Sequence, residues 1–368
     1  MGVDRAMKSV KSRIDKPARR RRTTQSRRKS ATRPKPVNLA LQGGGSHGAF
    51  TWGVLDRLLE DGRVEIEAIS GTSAGAMNAV VLADGMTKGG LEGARQALAD
   101  FWRAMARVGR FGPFMRTPFE FASRDWSLDY SPSYVIFEML SRVVSPYQFN
   151  PLNFNPVQEV LEAQIDFDRV RRCDKVKVFI SATSVRTGKI KQFQCEDLSA
   201  NAVMASACLP SLFQAVEIDG EAYWDGGYMG NPAIYPLIYN CQSRDVVIVQ
   251  VNPLTRDTVP TTPRDILDRV NEVSFNSTLM REMRAIAFLT QLIDEGELDA
   301  SRFKRVLIHR IEAESAMHPF GASSKLNAEW GFLTHLRDIG REAAAEWLEG
   351  NFHRLGREST VDIETDYL

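Results

Sequence analysis

The stretch Ile66-Glu67-Ala68-Ile69-Ser70-Gly71-Thr72-Ser73-Ala74-Gly75-Ala76-Met77-Asn78-Ala79-Val80-Val81-Leu82-Ala83 decides the fold. The apolar segment Ile66 to Ile69 reads as a strand, Gly71 to Gly75 as a tight turn, and the run from Ala76 to Ala83 as a helix. Strand, turn and helix in direct succession are the working unit of an α/β sheet. Gly71 and Gly75 flank the apex because a side chain at either place would clash in so sharp a turn. The turn lifts the Ser73 hydroxyl clear of the backbone, where a base and a substrate carbonyl can both reach it.

A second cluster lies thirty residues upstream. Gly43-Gly44-Gly45-Ser46-His47-Gly48 follows a strand-like segment, Val37 to Leu41, and opens a helical segment, Ala49 to Glu60, with Phe50, Val54, Leu55, Leu58 and Leu59 on one face. Consecutive glycines free several N–H groups to point at one place, and the helix N-terminus adds partial positive charge there. Three readings fit. Gly43, Gly45 and Gly48 match a dinucleotide fingerprint, but Glu65 and Glu67 stand at the start of the next strand rather than at its end. The glycines could serve only to pack the helix on the sheet. The third reading is an oxyanion hole, in which losing one donor costs about 3 to 4 kcal/mol of barrier.

A serine needs a proton acceptor. The chain has five histidines, His47, His309, His318, His335 and His353. His47 belongs to the glycine loop, His309 to a strand-like run, and His335 and His353 to amphipathic C-terminal segments. His318, in a loop before Pro319, is the late histidine that could complete a Ser73, Asp225, His318 order. The stronger partner is Asp225 alone, in Tyr223-Trp224-Asp225-Gly226-Gly227, where two aromatics read as a strand end. In isolation such an Asp-Gly-Gly reads as a turn.

Taken in order, Gly43-Gly44-Gly45-x-x-Gly48, Gly71-x-Ser73-x-Gly75 and Asp225-Gly226-Gly227 resemble the three signature blocks of the patatin-like lipid acyl hydrolases. The resemblance covers about residues 37–240. It implies a three-layer α/β/α sandwich around a mainly parallel sheet. It also implies Ser73 as nucleophile, Asp225 as sole base, and the amides of Gly43, Gly44 and Gly45 as oxyanion donors, with the Ala74 amide as a further donor. Gly48, Gly71, Gly75, Gly226 and Gly227 support the motifs. The family often carries Lys or Arg where this chain has His47, so His47 is expected to meet an anionic head group in a pH-dependent way. The implied substrate is a fatty-acyl ester of a phospholipid, lysophospholipid or glycerolipid, with no cofactor and no metal. The rivals are a Ser-His-Asp esterase using His318, a nucleotide-binding protein using residues 43–48, and a non-catalytic lipid-surface protein.

The chain has 368 residues, 43% hydrophobic and 25% charged, enough for one large α/β core. Its net charge of +1 conceals an asymmetry: residues 1–36 hold fourteen Lys and Arg against Asp4 and Asp15. The remainder, with 33 basic and 44 acidic residues, carries about −11. Such a basic segment is expected to be disordered, and to contact an anionic membrane surface rather than nucleic acid. No apolar stretch approaches the ~18 residues of a membrane span, and no secretory signal follows the basic run. Cys173, Cys195, Cys208 and Cys241 show no pairing or metal spacing, which points to the reducing cytoplasm. The expected domain runs over 37–355, with 356–368 as a tail. Between Phe111 and Phe154 fall eleven aromatics, with prolines at 113, 118, 132, 146 and 151. This insertion, about 109–155, is expected to avoid one long helix and to line an acyl channel, form a lid or cap the core. Downstream, two helices are expected over about 264–294.

Overall fold

Strand β1, Lys35–Leu41, sends Val37, Leu39 and Leu41 into one apolar layer and Ala40 into another. Alternate residues of a strand face opposite sides, so a strand covered on both faces reads as an unbroken apolar run. The computed structural model describes residues 33–110, 114–123, 125–299 and 301–368. Almost all of the basic segment, residues 1–32, therefore lies outside the described residues. Lys35, assigned to that segment above, belongs to the domain and donates to the carbonyls of Phe352 and Leu355.

The other strands are β2 (Val64–Gly71), β3 (Lys177–Ser184), β4 (Ile190–Gln194), β5 (Val216–Ile218), β6 (Glu221–Asp225), β7 (Asp245–Val249) and β8 (Leu307–Ile311). They form one sheet in the order β5-β6-β3-β2-β1-β7-β8, with β4 also paired to β3. The run β3-β2-β1-β7-β8 is parallel throughout. The pairs β3–β4, β3–β6 and β5–β6 are antiparallel.

Helices cover both faces. The first two are α1 (Gly48–Asp61) and α2 (Ala74–Gly109); the insertion holds α3 (Pro118–Ala122), α4 (Pro132–Leu140) and α5 (Pro146–Phe149). Then come α6 (Pro156–Gln164), α7 (Phe167–Arg171), α8 (Ala200–Ser206), α9 (Tyr235–Asn240), α10 (Pro263–Asp294), α11 (Glu314–Met317), α12 (Trp330–Asn351) and α13 (Ile363–Tyr367). Residues of α1, α2, α6, α8 and α12 fill the larger core, and residues of α9, α10 and α13 the smaller one across the sheet. This is the three-layer α/β/α arrangement. Each fully buried Leu or Phe in these layers contributes about 2 kcal/mol relative to exposure.

Two elements differ from expectation. Over 263–294 the structure has one 32-residue helix instead of two, since no Gly or Pro interrupts the run after Pro263. Residues 356–368 are not a loose tail: Val361 and Tyr367 enter the smaller core, and Thr360 N–H donates to the Ile308 carbonyl. Helix α2 turns sharply at Gly89–Gly90, where Gly90 takes φ 64°. In the insertion, by contrast, the prolines act as foreseen. Pro118, Pro132 and Pro146 each open a short helix, where a missing N–H costs nothing.

Candidate active site

The β1–β2 register pairs Leu41 with Gly71, so the loops leaving both strands lie side by side. Between β2 and α2, Ser73 adopts φ 55° and ψ −121°. That conformation costs a non-glycine residue about 1–3 kcal/mol and persists only where its surroundings enforce it. The enforcement is visible. A Cβ on Gly75 would run into the Leu41 carbonyl oxygen, and one on Gly71 would come within 2.6 Å of the Gly75 oxygen. The Ser73 N–H donates to Ser206 Oγ at 2.9 Å. Thr72 and Ala74 are buried while Ser73 is half-buried, and its side chain makes no cap to α2. The hydroxyl is left available at the N-terminus of a helix.

The first glycine of the upstream loop meets this turn directly. A Cβ on Gly43 would lie 2.7 Å from Ser73 Cβ and 2.9 Å from the Thr72 oxygen. Its N–H donates to Asn231 Oδ1 at 2.7 Å. That engagement removes Gly43 from the expected oxyanion donors. The N–H groups of Gly44, Gly45 and Ala74 have no acceptor among the described residues. Gly45 takes φ 58°, and a Cβ there would strike the Lys325 carbonyl. Gly48 packs against Ala74, where a Cβ would come within 2.6 Å.

Asp225 ends β6, opposite Ala182 of β3, and is 1% exposed. Its backbone is fixed by N–H donation to the Cys208 carbonyl at 2.8 Å and by Thr183 Oγ1, which donates to its carbonyl at 2.9 Å. Its Oδ1 accepts the Gly227 N–H at 2.7 Å. Burial pushes the carboxyl up to about 7, against the opposing hydrogen bonds of the Gly227 amide and the Ser73 side chain. Serine and aspartate thus meet, 152 residues apart in sequence. Gly226 and Gly227 are required because a Cβ on either would overlap the Ser181 carbonyl or the Phe275 ring. Beside the carboxylate, Tyr228 is raised to about 12 by burial and by the charge of Asp225.

The histidines lie elsewhere. His47 is 3% exposed, edge-on to Phe320 and Phe332, with Nε2 2.8 Å from Ser324 Oγ. The Ser324 hydroxyl donates to the Gly321 carbonyl at 2.7 Å, so Nε2 carries the proton given to Ser324. Burial and nearby Lys325 hold His47 well below its usual range. It is a neutral packed side chain, and the expected anion contact is withdrawn. His318 is exposed at the end of α11 and makes no contact with Ser73 or Asp225. His309 pairs with Asp245 at 2.9 Å, and His335 stacks on Trp126. The Ser-His-Asp alternative loses its base. Glu67, weighed above as a ribose ligand, instead accepts the amides of Gln242 and Ser243.

Ser206, Asn252 and Lys325 were not foreseen from the sequence. Each is an ordinary residue type brought to the site by chain distant from the motifs. Among the described residues no three His, Cys, Asp or Glu side chains come together to hold a metal.

A family profile described as patatin-like phospholipase matches residues 39–238. Among solved structures, VipD from Legionella pneumophila is 16% identical over 86% of this chain and 67% of its own, with a TM-score of 0.38. ExoU, in its heterodimeric complex with SpcU from the type III secretion system of Pseudomonas aeruginosa, is 17% identical over 87% of this chain, with a TM-score of 0.34. This chain spans about half of that one, 52%. No curated protein matches the sequence. The profile covers more than half of the chain and contains all three motif blocks: the chain belongs to the patatin-like phospholipase family.

Proposed function

We propose that the chain is a serine lipid acyl hydrolase working through a Ser73–Asp225 dyad. The observation that carries this reading is the buried carboxyl of Asp225, 1% exposed at the end of β6 and acting on the Ser73 side chain, with burial pushing it up to about 7. A free aspartate near pKa 3.9 is a weak base for a hydroxyl, and burial brings this one close to the operating pH. In the ionised state Asp225 takes the Ser73 proton as Oγ attacks the acyl carbonyl carbon. The resulting oxyanion is met by the Gly44 and Gly45 amides, with Ala74 as a further donor. Asp225 then returns the proton to the departing alcohol, leaving the acyl group on Ser73. Water then gives a proton to Asp225 as its oxygen attacks the acyl carbon; the bond to Oγ breaks, Asp225 passes that proton to Ser73, and the fatty acid is released.

The insertion supports an acyl-bearing substrate. Its α5 is tied to the loop after Cys208, with Gln214 Nε2 donating to the Asn150 carbonyl at 2.7 Å and Ala215 N–H to Tyr147 Oη at 3.2 Å. Helix α4 buries none of its residues, and Ile136, Met139, Val143, Leu152 and Phe154 are all more than half exposed. Large apolar side chains exposed in such number along one segment call for a use. We assign it to contact with lipid.

The test is a substrate panel on wild type and Ser73→Ala: neutral glycerides, lysophospholipids, diacyl phospholipids and a soluble short-chain ester. Ester cleavage by wild type and none by Ser73→Ala is expected. Equal cleavage by the two proteins would overturn the reading.

A further inference from the structure

A buried chain of hydrogen bonds enters the glycine loop from behind. Lys325 Nζ donates to Asn252 Oδ1 at 2.8 Å, and Asn252 Nδ2 donates to the Gly43 carbonyl at 2.9 Å. The Gly43 carbonyl and the Gly44 N–H belong to one planar, conjugated peptide unit. A donor on that carbonyl draws electron density off the nitrogen and makes the N–H a stronger donor. Asn252 is itself pinned: it is 3% exposed, and its N–H and that of Val251 both donate to Gln42 Oε1, at 2.9 and 2.8 Å. Asn231 holds the other side of Gly43 by accepting its N–H. Gly43 is therefore held on both sides, and the peptide that joins it to Gly44 has its carbonyl gripped by Asn252 and its own N–H left over.

The charge at the far end of the chain is unusual. Lys325 lies in the turn Ser323–Leu326, against Gly45. Its residue surface is half-buried, yet protein surrounds the ammonium and lowers its pKa, which Glu272 and Asp268 on α10 oppose and Arg256 reinforces. On the loop side the neighbouring titratable group is His47, which is neutral. Glu272 is already paired with Arg256 and with Arg269. The only hydrogen-bonded path from the ammonium to the glycine loop among the described residues runs through Asn252.

We propose that Lys325 is a positioning residue for the oxyanion loop, acting through Asn252 to polarise the Gly43–Gly44 peptide and strengthen the Gly44 N–H. The proposal rests on the Ser73 reading above. Removing the charge weakens a donor used only when the oxyanion forms, so kcat falls while KM does not.

The experiment compares hydrolysis of p-nitrophenyl butyrate, Ser73 labelling by a fluorophosphonate and thermal melting in full-length wild type, Lys325→Gln, Lys325→Arg, Asn252→Ala and the Lys325→Gln/Asn252→Ala double variant. Lys325→Gln should lower kcat roughly tenfold with KM within about twofold, a fraction of the loss from deleting an oxyanion donor outright. Lys325→Arg should restore most of that loss. Asn252→Ala should match Lys325→Gln, and the double variant should lose no more than either, because both break one chain. Wild-type kcat in Lys325→Gln, additive losses in the double variant, or Arg no better than Gln would each overturn the proposal. If Asn252→Ala does not fold, the Gln and Arg variants at 325 decide alone. A wild-type Ser73 that fails to label removes the hydrolase reading and this proposal together. A reactive Ser73 with unchanged kcat in Lys325→Gln removes only the proposal.

Discussion

Burial is what separates Asp225 from a free aspartate, and it sets the pH behaviour of the site. Its folded-state pKa of about 7 lies above that of the unfolded chain. Only the ionised form can accept the Ser73 proton, so kcat/KM for a soluble ester should rise with pH through about 7 and then level off. A rate that is flat from pH 5 to 9 would contradict this. The same shift bears on stability with the opposite sign. Protonated Asp225 favours the fold fully below about pH 4, and that contribution is lost as pH rises through about 7. Asp225→Asn, neutral at every pH, should therefore be more stable than wild type at pH 8, by on the order of 2–4 kcal/mol, and near parity at pH 4. Urea melts at the two pH values check it. The turns that carry Ser73 and Asp225 were legible in the sequence because tight turns are written in local residues: glycines at 71, 75, 226 and 227 are demanded by carbonyls and rings close by. His47 was misread because its chemistry suggests an anion site, whereas its position beneath Phe320 and Phe332 comes from chain nearly 300 residues away. Lys325, Asn252 and Ser206 carry no local mark at all.

At the scale of elements, β1 and β2 at the centre of the parallel core were readable because a strand covered on both faces is a short apolar run with turn residues at its ends. Helix α10 was read as helical but divided in two, since a half-exposed helix with Ile266, Leu267, Val270 and Val273 at the surface has a blurred periodicity. The insertion shows the reverse relation between composition and packing. Apolar residues that would normally mark a core stand outward on α4 and the segment after it. If that surface meets lipid, Met139→Ser with Val143→Ser should lower hydrolysis of phospholipid in vesicles severalfold while sparing a soluble ester. Parallel losses on both substrates would assign these residues to the fold or to the chemistry instead. The pattern of exposure also makes melting a clean control, since neither side chain is buried.

At the scale of the whole molecule, the sheet gathers its site at one end. The glycine loop leaves β1, the Ser73 turn leaves β2, and Asp225 closes β6, which runs antiparallel to β3 beside them. No helix among the described residues is long and apolar enough to cross a membrane. Charge asymmetry supplies a prediction at this scale. With about −11 over the domain and a surplus of basic residues before it, deletion of residues 1–32 should weaken binding to anionic vesicles and leave soluble-ester turnover unchanged. Equal vesicle binding by both forms would dispose of that role. His318, exposed and apart from the dyad, gives a further contrast: His318→Ala should keep turnover within about twofold, where a triad base would cost 10³ or more. The most direct test of the dyad is the rate of fluorophosphonate capture by Ser73 at pH 8 in wild type and Asp225→Asn. The pairing predicts a loss of about 10²–10⁴-fold in a protein that melts no lower than wild type. Capture at the wild-type rate in Asp225→Asn would contradict it.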